Sequence, residues 1–234
     1  MAIRGLLFDK DGTLFDFEAT WGTWAAKVLT VLFSAEGPGR VESVAARLGF
    51  DTVNRRFAPD SPVIAETSER VAELLLADLP GWKKPDLVQY MKDEAAGTTL
   101  VQPVPLVPLL EGLTASGMVL GLATNDDESS ARAHLQQAGV AERFGFVAGY
   151  DSGWGGKPAP GQVLAFLEWS GLRPDEVAMI GDSLHDLHAG RAAGVRTVGV
   201  LTGPAPAATL ATAADVVIPD IGHLPRWLKE SALA

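Results

Sequence analysis

From about residue 100 onward the chain alternates short apolar runs with amphipathic stretches, and this alternation restricts the fold more than any other feature. Strands buried on both faces read as continuous apolar runs, and parallel strands need crossover helices between them. With a similar run at the N-terminus, the predicted strands are Ile3 to Phe8, Val119 to Ala123, Phe144 to Gly149, Val177 to Ile180, Thr197 to Leu201 and Val216 to Ile218. Between them, Glu128 to Ala138, Pro160 to Ser170 and Leu184 to Ala193 carry apolar residues at helical spacing and close near Gly139, Gly171 and Gly194. The expected class is α/β, with a Rossmann-like parallel-sheet core.

Residues 16 to about 95 break this rhythm. Glu18 to Phe33, Arg40 to Leu48, Pro62 to Leu79 and Pro85 to Ala96 read as helices, with no convincing strand among them. The expected organisation is a sheet core of residues 1–15 and 100–234, with a helical segment of residues 16–99 inserted after the first strand. Proline and glycine at Pro80-Gly81 and at Gln102-Pro103-Val104-Pro105 interrupt helical patterning and mark boundaries. A chain of 234 residues has room for one core domain and one insert.

Charge narrows the chemistry. The net charge is −10 and no dense Lys/Arg stripe occurs, which argues against nucleic acid and against an acidic membrane surface. No apolar run is long enough to span a bilayer, and the one before Asp9 is too short for a signal peptide. The chain has no cysteine, so disulfides, thiolate metal sites and cysteine nucleophiles are excluded. A cytoplasmic location is expected by elimination and small-molecule chemistry is favoured, with monomer and homodimer both open.

In a parallel sheet, ligands bind beyond the carboxyl ends of the strands, and four such ends carry suitable groups. Asp9-Lys10-Asp11-Gly12-Thr13-Leu14 places two carboxylates two residues apart after an apolar strand. One can attack phosphorus while the other handles a proton. A plain surface turn also fits this motif alone. A calcium-binding EF-hand loop does not, because Leu14 and Phe15 are apolar and no closing glutamate follows. Thr124-Asn125 offers a hydroxyl and an amide for phosphate oxygens, although Thr-Asn is also common in turns. Lys157-Pro158 offers an ammonium, the proline holding the lysine backbone extended. Gly181-Asp182-Ser183-Leu184-His185-Asp186 presents two carboxylates suited to Mg²⁺, and Asp182 or Ser183 can also cap the helix that follows.

In order and strand context these segments resemble the haloacid dehalogenase superfamily, in its branch with a helical cap after the first motif. The stretch from Gly181 through Ala193-Gly194 is similar to the phosphoglycolate phosphatase-like members. The resemblance implies that Asp9 is nucleophile and metal ligand. It implies that Asp11 is the general acid/base and lends its backbone carbonyl to the metal. Thr124 and Asn125 would hold the phosphoryl oxygens, Lys157 would stabilise Asp9 and the pentacoordinate state, and Asp182 and Asp186 would hold or support Mg²⁺. The implied activity is Mg²⁺-dependent hydrolysis of a small phosphate monoester through an aspartyl-phosphate. A phosphomutase, or a non-catalytic binding protein on the same fold, is the alternative. Asp11 argues against a dehalogenase, which normally lacks that second carboxylate.

Other residues invite two readings each. Glu18, Trp21 and Trp24 reach the cleft or pack in the insert, and Arg55 and Arg56 grip a substrate carboxylate or lie on a solvated face. The acidic run Asp126-Asp127-Glu128 repels anions if it faces the cleft, or else starts a helix. Gly153, Gly155 and Gly156 around Trp154 suggest a loop able to change shape before Lys157.

Overall fold

The computed structural model describes residues 2–58, 61–65 and 67–231. Eight strands occur among them: β1 (Gly5–Phe8), β2 (Phe50–Asp51), β3 (Arg56–Phe57), β4 (Val119–Ala123), β5 (Phe146–Ala148), β6 (Val177–Gly181), β7 (Arg196–Val200) and β8 (Val216–Ile218). The chain divides into two compact units, one of residues 1–17 and 101–234 and the other of residues 18–100.

The first unit is built on a six-stranded, wholly parallel sheet in the order β5-β4-β1-β6-β7-β8. The predicted α/β class is therefore borne out. β1 lies between β4 and β6, with Leu7 opposite both Gly121 and Met179 and Phe8 opposite Leu122 and Ile180. Strand order reverses direction around β1, so the residues following it sit where open α/β sheets bind ligands. The three crossover helices read from the sequence form at Glu128–Gln137, Gly161–Ser170 and Leu184–Ala192. A further helix, Leu106–Ala115, was not anticipated; it buries Leu106, Leu110 and Leu113. Phe166 is fully buried against the sheet, and a Cβ on Gly121 would stand 2.6 Å from its ring, which explains a glycine in the middle of β4.

The chain leaves this unit after Phe17 and re-enters it at Val101, and the Asp16 amide donates to the Val101 carbonyl at 2.7 Å.

The second unit is mainly helical, with helices that include Phe17–Phe33, Pro38–Arg47, Ser68–Leu76 and Lys84–Ala96. The predicted helix Pro62 to Leu79 is two pieces, Pro62–Ala65 and Ser68–Leu76, and Glu66 between them lies outside the described residues. Thr67 opens the second piece, its side chain accepting from the Arg70 amide.

The expectation of no strand in this segment is corrected. β2 and β3 pair antiparallel, Phe50 opposite Phe57 and Asp51 opposite Arg56. The Asp51 carboxylate makes the turn by accepting from the amides of Val53 and Asn54 at 2.9 and 3.0 Å. The rings of Phe50 and Phe57 lie 4.8 Å apart, and the Glu18 carboxylate accepts from the Phe57 amide at 3.1 Å. Two-residue strands are too short to leave a period in the sequence. Trp24 donates from Nε1 to the Met91 carbonyl and its ring meets that of Trp21 edge-on, both residues being partly buried. Among the described residues no helix is long and apolar enough to cross a membrane.

Candidate active site

All seven residues singled out by the four strand ends belong to the sheet unit. Asp9 follows β1 directly, its amide donating to the Ile180 carbonyl at 2.8 Å, which fixes the end of β1 against β6. Asp182 follows β6, and Asp186 lies in the first turn of the next helix. Carboxylate oxygens of Asp9, Asp182 and Asp186 all lie within 4.8 Å of one another, and all three residues are buried. Lys157 Nζ joins them, donating to Asp9 Oδ1 at 2.6 Å, to Asp186 Oδ1 at 2.5 Å and to the Ala123 carbonyl at 2.8 Å.

One ammonium among three buried carboxylates leaves two negative charges unmatched, and the ionisation behaviour shows the strain. Burial, aided by the charge of Asp186 and opposed by Lys157, raises the Asp9 carboxyl to about 7. Burial followed by repulsion from Asp9 and Asp186 pushes Asp182 well above its ordinary value. Lys157 moves the other way: burial disfavours its charge, but Asp186 and Asp9 outweigh that and hold the ammonium above its usual range. A cluster of hard oxygen donors short of two positive charges fits a divalent ion such as Mg²⁺.

The backbone is shaped to admit Asp182. Gly12 has φ 81, and a Cβ there would stand 2.4 Å from the Asp182 carboxyl carbon. A Cβ on Gly203 would likewise reach within 1.7 Å of Asp182 Oδ2, so a side chain at either position would force Asp182 to shift. The Thr202 hydroxyl donates to the Gly12 carbonyl at 2.6 Å and ties these two segments together.

The helix-cap reading of the fourth strand end also holds, through Ser183 and Asp186. Asp186 Oδ2 accepts from the Ser183 amide at 3.1 Å and from its hydroxyl at 2.6 Å, a capping box, while Oδ1 faces Lys157.

Three of the singled-out residues are engaged elsewhere. Asp11 pairs with Lys10 Nζ at 2.7 Å instead of joining the three carboxylates. The Thr124 hydroxyl accepts from the Asp126 amide at 3.0 Å, which leaves its own hydrogen to donate. Asn125 turns to the Lys157 backbone, donating from Nδ2 to its carbonyl at 2.9 Å and accepting at Oδ1 from its amide at 2.8 Å.

The acidic run after Asn125 serves the helix start and its surroundings. Asp127 caps the helix by accepting from the Ser130 amide at 2.9 Å, Asp126 pairs with Lys10 at 3.1 Å, and Glu128 pairs with Arg132. The Ser152 hydroxyl donates to Glu128 at 2.5 Å and Asp151 accepts from the Glu128 amide at 2.9 Å, so the start of the glycine-rich loop is pinned to this helix.

Sequence reasoning missed the Lys10 side chain, His134 and Gly203. Lys10 had one available signal, a long cation directly after a fully apolar strand; the other two had none.

The model of the haloacid dehalogenase-like hydrolases matches residues 3–194. A phosphoglycolate phosphatase of Chromobacterium violaceum is 32% identical over 230 residues, covering 97% of both chains. Among solved structures, a HAD family hydrolase of Deinococcus radiodurans with bound phosphate and sodium aligns with a TM-score of 0.69 at 22% identity, over 99% of this chain and 97% of that one. A HAD-hydrolase of Bacillus subtilis bound to magnesium aligns at 0.67 and 20%, over 97% and 99%. At these identities the structural likeness is one of fold.

Proposed function

Because the chain belongs to the haloacid dehalogenase-like hydrolases, we propose that it is a Mg²⁺-dependent phosphatase acting on a small phosphate monoester of the phosphoglycolate type, by way of an aspartyl-phosphate on Asp9. The observation that carries this reading is Lys157 Nζ 2.6 Å from Asp9, inside a buried set of three carboxylates.

Asp9, Asp182 and Asp186, with the main-chain carbonyl of Asp11, are the groups that would hold the ion. Mg²⁺ bound there supplies positive charge to the nucleophile and to the phosphoryl oxygens. An Asp9 oxygen attacks phosphorus while the bond from phosphorus to the ester oxygen breaks, and Asp11 gives its proton to the departing alkoxide. Water then attacks the same phosphorus, passes a proton to Asp11, and breaks the bond to Asp9, releasing inorganic phosphate. Throughout, Lys157 faces the charge that moves between Asp9 and the phosphoryl group. The Thr124 hydroxyl is the side-chain donor suited to a phosphoryl oxygen. In this reading residues 16–99 are the cap, which recognises the remainder of the substrate.

The test is phosphate release from a panel of small phosphate esters with and without Mg²⁺, beside Asp9→Asn. Phosphoglycolate or a close relative turns over only with Mg²⁺, and the variant is inactive while still folded. Wild-type turnover by folded Asp9→Asn would disprove the nucleophile.

A further inference from the structure

Lys10 stands between the two carboxylates of the first strand end, and the reaction just described gives its side chain no task. It is nevertheless fully buried, an environment a lysine almost never occupies unless paired. Its ammonium has three hydrogens, and three acceptors converge on it: Asp11 Oδ2 at 2.7 Å, His134 Nδ1 at 3.0 Å and Asp126 Oδ2 at 3.1 Å. These come from three places in the fold, namely the turn after β1, the helix Glu128–Gln137 and the segment after β4.

The protonation states agree with the geometry. Burial works against the Lys10 charge, but Asp11 and then Asp126 outweigh it and hold the ammonium above its usual range. Burial, then the neighbouring Lys10, pushes the His134 imidazole down to about 4. His134 therefore meets Lys10 as a neutral ring that accepts at Nδ1 and carries its hydrogen on Nε2. The ring lies edge-on to that of Phe15, with centroids 6.5 Å apart, and its helix is capped by Asp127.

We infer that Lys10, braced by His134 and Asp126, is a positioning residue that holds the Asp11 carboxyl for its proton transfers. This rests on the assignment of Asp11 as the general acid/base. Lys10 exchanges no proton in the reaction; it sets where the Asp11 oxygens lie. A cation that merely fills space would affect every substrate alike. One that positions an acid matters in proportion to how much the leaving group needs a proton.

The experiment compares kcat/KM, which reports the first phosphoryl transfer, for β-glycerol phosphate and p-nitrophenyl phosphate with Mg²⁺. The alkoxide of the first must be protonated as it leaves, whereas p-nitrophenolate departs without a proton. Asp11→Asn is expected to cost about 100-fold or more on the alkyl ester and far less on the aryl ester. Lys10→Met is expected to show the same selectivity, with a loss of about 10-fold or more on the alkyl ester, and to add nothing in the Asp11→Asn background. His134→Gln, which retains the buried cation, shows the same selectivity to a smaller extent and serves if Lys10→Met does not fold. Equal losses on both esters, or a further full loss in the double variant, would overturn the positioning role. If Asp11→Asn itself shows no selectivity, the acid/base assignment falls and this inference falls with it.

Discussion

Asn125 and Lys157 are joined by a pair of reciprocal hydrogen bonds, the asparagine amide closing on both the carbonyl and the N–H of the lysine backbone at 2.9 and 2.8 Å. The lysine ammonium in turn touches Asp9 and Asp186, so an amide at the end of one strand sets the position of a charge bound to two others. Asn125→Ala should lose about 1 kcal/mol for each of the two bonds and lower kcat about tenfold or more, with a smaller change in KM. Steady-state kinetics beside thermal melts separate the effects. A KM rise with kcat unchanged would instead mark Asn125 as a direct substrate contact.

Glycine at 203 is imposed by Asp182. In Gly203→Ala the new methyl would collide with the Asp182 carboxyl, costing about 1–3 kcal/mol and weakening Mg²⁺ binding at the same time. Gly112→Ala is the matched control, since it lies in the helix Leu106–Ala115 with nothing within 4 Å of the added carbon, and it should stabilise by about 0.5–1 kcal/mol. Equal melting temperatures for the two variants would contradict the packing described.

Mg²⁺ affinity should depend on pH. With its carboxyl raised to about 7, Asp9 of the cation-free protein carries at pH 6 a proton that binding must displace, while at pH 8 it is already ionised. Titration calorimetry at the two pH values should show binding roughly tenfold weaker at pH 6, with proton release. Affinity that does not change would mean that Asp9 is already ionised before the ion arrives.

His134 gives stability its own pH dependence. Burial, then the charge of Lys10, holds its imidazole at about 4 against the opposing pull of Asp11, Asp126 and Asp127, so the unfolded chain binds the proton more readily. The associated stability is fully present above about pH 6.5 and is lost as pH falls toward 4, on the order of 3 kcal/mol in all. Urea melts across that window should be steeper in pH for the wild type than for His134→Gln. Parallel curves would show that the ring is not kept neutral.

The sheet was legible because buried parallel strands are continuous apolar runs, and β4, β6 and β8 were read within a residue or so of their ends. The acidic strand ends were legible for a related reason: Asp9 and Asp182 interrupt apolar runs abruptly, and nothing about a core explains such a change. The hairpin β2-β3 was not legible, since its strands are two residues long and its turn depends on the side chain of Asp51. The bonds from Asn125 to the Lys157 backbone were not legible either, since the two residues are 32 apart and sequence spacing carries no sign of them. His134 looked like any residue of an amphipathic helix; only the fold brings it to Lys10, 124 residues earlier.

The hydrogen bond from Asp16 to Val101 means that the long helical excursion begins and ends at one doorway. To the strands beneath, it makes little difference whether that doorway opens onto a few residues or onto dozens, because the two jambs stay where they are. The sheet that carries Asp9 and Lys157 therefore need not change when the length of that excursion does.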